Sequence, residues 1–315
     1  MKNYGIMHFK DATVDNFTSN IGMNIRKKLN KPLSKLLKLA TKGEIIIDNY
    51  PKLEKNEAYI FVSVHRFTED TIANLATIDR NAYLLFGTTD QLMNNKSMYA
   101  AWANGFIYVD RENKENRSDA LLKMERVLKN GNSVLIFPEG GFNNTENLLC
   151  QKLFASPYIL AKRTGKEVIP IAPFYEFGSD KIYMNVGEPM NLAKYEDKKE
   201  ALLDLRDTLS TLLYESIEKH STPIVRNELG PDPRSDFMEE RRQEYMKNKW
   251  GSDVWEEELT RYFDKDEREY NAMFEELDNA NLTNMGKVAL APLLIKRREQ
   301  KKYDFKDYMH KNWDK

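Results

Sequence analysis

Short apolar runs alternate with longer amphipathic segments between about residues 43 and 190. The short runs are rich in β-branched or aromatic residues, which is typical of buried strands. The predicted strands are Glu44–Ile47, Tyr59–Val64, Ala82–Phe86, Phe106–Val109, Ser133–Phe137, Glu167–Pro173 and Lys181–Val186. Apolar positions that recur every three or four residues predict helices near 69–78, 91–103, 116–129 and 155–164. Strands that alternate with helices indicate an α/β fold with a mostly parallel central sheet covered by helices, in a strand order that the pattern leaves open.

A basic helical segment precedes this core. Residues 18–41 repeat apolar side chains at helical spacing, and lysines flank the apolar side. The apolar residues are Ile21, Ile25, Leu29, Leu33, Leu36 and Leu37. Pro32 is poorly tolerated inside a helix, so we expect two short helices. Such a segment either lies on an anionic membrane surface or packs on the sheet with its lysines in water, and periodicity does not separate the two.

The pattern changes after about residue 220. Proline and glycine residues interrupt the periodicity at 221–223 and 230–233 and mark a boundary. The residues that follow are rich in Glu, Lys, Arg and aromatic side chains and have almost no strand signal. The sequence therefore predicts a basic helical segment over 1–42, an α/β domain over 43–220 and a helical extension over 221–315.

Composition narrows the class of protein. A chain of 315 residues with 41% hydrophobic side chains can bury a sizeable core. No apolar run approaches the about 18 residues of a membrane-spanning helix, and the first residues lack a secretory signal, so we expect a chain on the cytoplasmic side. The formal net charge of -1 gives no case for nucleic-acid binding over the whole surface. Charge is uneven, with +6 over 1–45, -11 over 196–280 and +5 over 281–315, which indicates separate surfaces. The single cysteine, Cys150, excludes an intramolecular disulfide and a multi-thiolate metal site.

One histidine stands apart from the other three. The chain has no nucleophile-elbow, phosphate-loop, zinc-protease or paired C-x-x-C motif, which leaves histidine as the candidate base. His8 and His310 lie near the chain ends and His220 ends a polar helix, so we expect all three at the surface. His65 directly follows the predicted strand Tyr59–Val64 and should stand at its carboxyl end. In open α/β sheets, ligands bind at that edge.

Asp70 follows His65 by five residues, in the first turn of the next predicted helix. A carboxylate on one ring nitrogen fixes the tautomer, stabilises the imidazolium and leaves the other nitrogen free to take a proton. The alternative is a strand-end histidine followed by an aspartate that only stabilises the helix N-terminus. The spacing alone does not decide between them.

Three more segments should reach the same edge of the sheet. The strand Gly105–Val109 leads to Arg111, whose planar fork suits a phosphate or carboxylate, although an ordinary salt bridge would also use it. Glu139 and Gly140 follow another buried strand, where glycine allows close backbone approach and Glu139 can orient a polar substrate or the arginine; a tight turn is the alternative. Val168–Pro173 carries prolines, which predict a sheet edge or a break beside the site.

These four segments together resemble the ordered sequence blocks of the glycerolipid acyltransferases, the family of 1-acyl-sn-glycerol-3-phosphate acyltransferase. The matching stretches are His65–Asp70, Gly105–Arg111, Phe137–Gly140 and Val168–Ile171. They occur in the family's order and at comparable spacings, over roughly residues 45–190. Single blocks are weak signals, whereas four in order are specific.

The resemblance implies transfer of a fatty acyl group from acyl-CoA or acyl carrier protein to the hydroxyl of lysophosphatidate or a related lysophospholipid. It makes His65 the general base and Asp70 its orienting carboxylate. It implies that Arg111 binds the phosphate of the acceptor and that Glu139 and Gly140 help to bind the acceptor. No metal or other cofactor is expected, because the thioester is already activated. The basic helices would attach the protein peripherally to the cytoplasmic membrane face, and an acidic carrier protein would fit the same positive surface.

The chain departs from the family pattern at two places. Val64 stands where the family often has asparagine, and Gly141 and Phe142 stand where it usually has threonine and a basic residue. A cation for the acceptor phosphate is therefore missing from that block, and Lys152 is placed to compensate for it. The alternative function is a non-catalytic lipid- or partner-binding protein on the same fold.

Overall fold

The computed structural model describes residues 12–29, 44–66, 69–87, 105–110, 113–143, 148–176 and 181–221. The chain divides into two compact units, Met1–Thr222 and Pro223–Lys315, and the described residues belong to the first. The predicted helix near 91–103, the second N-terminal helix after Pro32 and residues 222–315 of the predicted extension lie outside these ranges.

Seven strands of the described residues form one mixed sheet. They are β1 (Glu44–Asn49), β2 (Ile60–Ser63), β3 (Ala82–Gly87), β4 (Ile107–Val109), β5 (Ser133–Ile136), β6 (Val168–Glu176) and β7 (Lys181–Val186). Their order across the sheet is β1-β7-β6-β2-β5-β3-β4. Every neighbouring pair is parallel except β6 and β7. The predicted α/β fold with a mostly parallel sheet is confirmed.

The helices follow the predicted pattern closely. They are α1 (Val14–Phe17), α2 (20–29), α3 (Asp70–Thr77), α4 (Lys114–Lys129), α5 (Ser156–Thr164) and α6 (Lys198–His220), with a 3₁₀ turn at Leu192–Lys194. Asn113 caps α4 by accepting hydrogen bonds from two backbone N–H groups, and Gly165 ends α5 in the left-handed conformation. Among the helices of the described ranges, none has the length and hydrophobicity that a bilayer span requires.

The core lies on both faces of the sheet. Side chains alternate along β2, so Ile60 and Val62 join the cluster that contains residues of α4, α5 and α6, while Phe61 joins the cluster that contains residues of α3. All three side chains are fully buried. A parallel strand covered on both faces reads as a continuous apolar run, which is why the sequence from Tyr59 to Val64 was a strong strand signal.

The prolines of β6 do not mark an edge of the sheet, so the edge alternative of that prediction is wrong. β6 lies between β7 and β2 in the interior of the sheet. The pairing of β6 with β2 ends at Ile171, whose carbonyl accepts a hydrogen bond from the backbone N–H of Val64. Pro173 therefore lies beyond the end of β2. The backbone of Pro170 faces β7, and its carbonyl accepts a hydrogen bond from the backbone N–H of Gly187, just after β7. A proline lacks only the N–H, so these positions cost the sheet little.

His220 is not a surface residue, contrary to the sequence-based expectation. Its Nε2 atom lies 2.6 Å from Asp48 Oδ2 of the edge strand β1, and its ring stacks on Tyr183 of β7 at 3.5 Å between centroids. Lys219 Nζ donates to the same carboxylate at 2.9 Å. The carboxyl end of α6 is therefore fastened to the edge of the sheet.

The N-terminal helices pack with a different face from the predicted one. Met23 and Arg26 are buried, and the Arg26 guanidinium lies 4.0 Å from the Phe17 ring centroid and donates to the Phe17 carbonyl at 2.6 Å. The predicted apolar side of α2 is exposed instead, at 76% for Ile21, 44% for Ile25 and 38% for Leu29. The helix thus packs on the domain and still presents an apolar surface.

Candidate active site

The sheet topology brings two of the predicted blocks together. β2 and β5 are adjacent and parallel, so the residues that follow them emerge side by side at one edge. His65 follows β2, and Phe137 to Gly141 follow β5. The backbone N–H of Asn143 donates to the His65 carbonyl at 2.6 Å, which joins the two connections directly.

His65 and Asp70 are in contact. Asp70 Oδ2 lies 3.3 Å from His65 Nδ1 and also accepts the backbone N–H of Arg66 at 2.6 Å. Asp70 is the first residue of α3 and its side chain is fully buried, whereas 16% of the His65 side chain is exposed. If Nδ1 carries the proton that faces the carboxylate, Nε2 presents a free lone pair.

Buried polar contacts hold α3 against β2. The Asn74 side-chain amide donates to the Asp70 carbonyl at 2.7 Å and to Ser63 Oγ at 3.0 Å. Asn74 and Ser63 are both completely buried. Because this hydrogen bond joins the strand that precedes His65 to the helix that begins with Asp70, it sets the distance between base and carboxylate. Asn74 was not singled out from the sequence, where its place one turn after Asp70 was the available signal.

Glu139 is buried beside His65. One carboxylate oxygen accepts the backbone N–H of His65 at 3.0 Å, and the other accepts the backbone N–H of Gln151 at 2.7 Å. Hydrogen bonds from backbone N–H groups are the usual compensation for a buried carboxylate. The described contacts therefore give Glu139 a part in holding two segments of chain together.

Asn143 completes this arrangement and was not singled out from the sequence. Its side-chain amide donates to the Leu148 carbonyl at 2.9 Å, and its Oδ1 accepts from the Gln151 side chain at 3.2 Å. Asn143 is buried, and nothing in its spacing from the Pro-Glu-Gly-Gly segment signals the role. The loop after β5 is thus held to itself and to the His65 backbone.

Gly140 is required by conformation and by space. Its φ of 74° lies in the left-handed region that favours glycine. A Cβ atom there would come within 2.2 Å of the Phe154 ring. Phe154 in turn donates its backbone N–H to the Pro138 carbonyl at 2.8 Å, which holds its main chain against the turn that contains Gly140.

The two predicted cations of the site are Arg111 and Lys152. Arg111 lies outside the described residues; β4, which precedes it, ends at the same sheet edge, three strands from β2. Lys152 is half-buried and directly follows Gln151, whose backbone contacts Glu139. The structure thus brings together His65, Asp70, Glu139 and Gly140. Lys152 is one residue along the chain from the backbone group that binds Glu139.

Comparisons with known proteins show similarity to acyltransferases. Residues 44–174 match the family model described as Acyltransferase, a stretch that contains His65, Asp70 and Glu139. The crystal structure of the 1-acyl-sn-glycerophosphate (LPA) acyltransferase PlsC from Thermotoga maritima is similar in fold, with a TM-score of 0.52 and 16% sequence identity. That similarity covers 63% of this chain and 83% of the other. Residues 44–174 thus match an acyltransferase domain, and the described fold is like that of PlsC.

The acyltransferase domain accounts for the described sheet from β1 into β6. Its matched stretch ends at Phe174, inside β6, so β7 and α6 lie beyond it. No protein with a curated function matches the chain by sequence. The domain match and the similarity of fold together support an acyltransferase.

Proposed function

We propose that this acyltransferase moves a fatty acyl group from acyl-CoA or acyl carrier protein to the hydroxyl of lysophosphatidate or a related lysophospholipid. The observation that carries the proposal is the contact of 3.3 Å between His65 Nδ1 and Asp70 Oδ2 at the carboxyl edge of the sheet. The fold neighbour is an acyltransferase that acts on LPA, which supports the same class of acceptor.

His65 Nε2 takes the proton of the acceptor hydroxyl as its oxygen attacks the thioester carbonyl. A carbon–oxygen bond forms and gives a tetrahedral oxyanion; the carbon–sulfur bond then breaks, and the leaving thiolate receives the proton from the imidazolium. Asp70 stabilises that imidazolium through Nδ1. An alcohol is a poor nucleophile until its proton is accepted, and a positioned base contributes about 10²–10⁴-fold. The thioester is already activated, so we expect no metal or other cofactor.

The acceptor head group is proposed to lie on the side of the site away from Asp70. Arg111 follows a strand that ends at the same sheet edge as His65, and its guanidinium suits a phosphate. Lys152 is the second candidate cation. Glu139 and Gly140 are proposed to shape the acceptor side through the turn that they form after β5.

Peripheral attachment to an anionic membrane at its cytoplasmic face is proposed for α2. Ile21, Ile25 and Leu29 are exposed on one side of the helix, and the exposed Lys27 and Lys28 lie beside them. An apolar stripe flanked by lysines is suited to the boundary between lipid head groups and acyl chains. The membrane surface would deliver a lipid acceptor to the domain.

The first test measures acyl transfer by the purified full-length protein from acyl-CoA and from acyl carrier protein. Lysophosphatidate and a lysophospholipid with a larger head group serve as acceptors. We expect His65→Ala and Asp70→Asn to lower kcat by about 10²-fold or more, because general-base catalysis is lost.

His220→Ala is the matched control, because it removes a second histidine–aspartate contact, between α6 and the edge strand β1, and should lower the Tm without lowering kcat. Turnover that survives His65→Ala would overturn the mechanism. Lipid binding without any acyl transfer would instead support the non-catalytic alternative.

A further inference from the structure

The His65 ring lies between two phenylalanine rings. The Phe137 ring centroid is 4.3 Å from the His65 centroid at an interplanar angle of 27°, and the Phe142 centroid is 4.0 Å away at 32°. A phenyl ring whose centroid lies about 4 Å from the imidazole centroid is in van der Waals contact with one face of the imidazole, because carbon atoms in contact are about 3.5–4.0 Å apart. The two phenylalanines therefore occupy opposite faces of the ring.

Stacking on both faces leaves only the edges of the imidazole for other contacts. The edge with Nδ1 faces Asp70 Oδ2. The side chain keeps 16% of its surface exposed, and the Nε2 edge is opposite Nδ1. An acceptor hydroxyl must then approach Nε2 close to the plane of the ring.

Backbone contacts hold Phe142 in this position. It lies between the turn at Gly140, which has a φ of 74°, and Asn143, whose N–H donates to the His65 carbonyl at 2.6 Å. The Phe142 carbonyl also accepts from the Gln151 side chain at 3.4 Å. The aromatic ring is thus built into the connection that fixes the backbone of the base.

We propose that Phe142 is a positioning residue for acyl transfer. It holds the plane of the His65 imidazole so that Nε2 points at the acceptor oxygen, and together with Phe137 it offers aromatic faces to the imidazolium that forms when the proton is taken. This proposal rests on the proposed function. Phe142 acts through His65 and is not assigned a contact with substrate.

The experiment compares Phe142→Leu with Phe142→Tyr in the full-length protein, measuring kcat and the acceptor KM. We expect Phe142→Leu to lower kcat by about tenfold or more with the acceptor KM changed less than about twofold, because misorientation of a catalytic group lowers the rate of the chemical step. Phe142→Tyr keeps the ring and should retain at least about half of the wild-type kcat.

Tyr59→Leu is the matched control for loss of a packed aromatic ring. Tyr59 is buried directly before β2, at the end of that strand opposite His65, and its ring centroid lies 6.3 Å from that of Phe61. It should lower the Tm at least as much as Phe142→Leu does, with kcat unchanged. Equal losses of kcat in Phe142→Leu and Tyr59→Leu would show that the lower kcat comes from a general loss of stability, which would overturn the proposal.

A second measurement does not depend on turnover. Two stacked rings displace the NMR signals of the His65 ring protons upfield, so Phe142→Leu should move them downfield and Phe142→Tyr should not. Unchanged His65 signals in Phe142→Leu would show that the rings do not stack in solution. If His65→Ala abolishes turnover while Phe142→Leu retains it, this proposal fails and the proposed function stands; if His65→Ala leaves turnover intact, the proposed function fails.

Discussion

Glu139 shows at the residue scale how a sequence motif can act through the backbone. The family resemblance implied a part in binding the acceptor, whereas in the structure the two carboxylate oxygens accept backbone N–H groups of His65 and Gln151. The side chain is 2% exposed, so little of it is open to a ligand. We infer that Glu139 supports catalysis by fixing the main chain of the base.

Glu139→Gln should lower kcat by about tenfold or more and leave the acceptor KM within about twofold. Glutamine keeps one acceptor oxygen, but its NH₂ group then faces a backbone N–H, which leaves a buried donor unsatisfied. The measurement is steady-state kinetics with the acceptor varied.

The control for this prediction is Glu57→Gln, which removes a carboxylate that pairs with Lys166 at the surface and should leave both constants unchanged. A raised KM with an unchanged kcat in Glu139→Gln would instead show direct binding of the acceptor.

At the scale of elements, α4 buries a lysine where its periodicity calls for an apolar residue. Lys123 is 2% exposed, and its Nζ lies 5.6 Å from the Phe17 ring centroid of α1. Burial lowers the pKa of Lys123, while the charge of Asp119 acts in the opposite direction. The folded state thus carries an unfavourable desolvation of the ammonium at neutral pH.

Lys123→Met should therefore raise the free energy of unfolding by about 1 kcal/mol and the Tm by about 2–4 °C at pH 7. A lowered pKa in the folded state means that the penalty is present while lysine is charged and fades as the pH rises from that lowered pKa toward the ordinary value. The difference in Tm between variant and wild type should shrink at alkaline pH.

Thermal unfolding across pH measures this difference. Lys129→Met is the control on the same helix, since Lys129 pairs with Glu125 at the surface and its loss should change the Tm little. A lower Tm in Lys123→Met would show that the contact of the ammonium with the Phe17 ring outweighs its desolvation.

The whole domain presents an apolar stripe that its own packing does not use. Ile21 and Ile25 of α2 are exposed, and the opposite side of the helix carries the buried Met23 and Arg26. The first 45 residues carry a net charge of +6, which favours an anionic surface. The proposed membrane attachment would therefore use a helix that also packs as part of the domain.

Replacement of Ile21 and Ile25 by glutamate should reduce binding to vesicles that contain anionic lipid by about tenfold or more. Burial of one such side chain contributes about 1.5–3 kcal/mol at most, and 1.4 kcal/mol is a tenfold change. Co-sedimentation with vesicles measures the bound fraction, and higher salt should weaken it.

Glutamate at Leu122 and Leu203 provides the control, since both are exposed apolar residues, on α4 and α6, at 39% and 43%. If both pairs of substitutions reduce binding equally, α2 is not the attachment site.

The sequence predicted the helices and strands better than it predicted which residues contact each other in the candidate site. Strand and helix positions followed from periodicity and from turn residues, and the His65–Asp70 contact followed from their places at a strand end and a helix start. Asn143 and the ring of Phe142 were not recognised, because polar and aromatic residues in loops have no periodicity. Asn74 lies in α3 and was not recognised, because a single polar residue in a helix does not indicate what it contacts. The partner of Asn143 and Phe142 is His65, which lies 78 and 77 residues earlier in the chain.

The sequence alone determined the class of fold, the strand that carries the base and the family resemblance, since these depend on local patterns of burial and on short motifs. The tertiary structure decided which strands are neighbours, which side of α2 packs and which backbone groups the Glu139 carboxylate binds. It also corrected the prolines of β6 and the place of His220. These outcomes depend on pairings between distant segments, whose free energies no local pattern specifies.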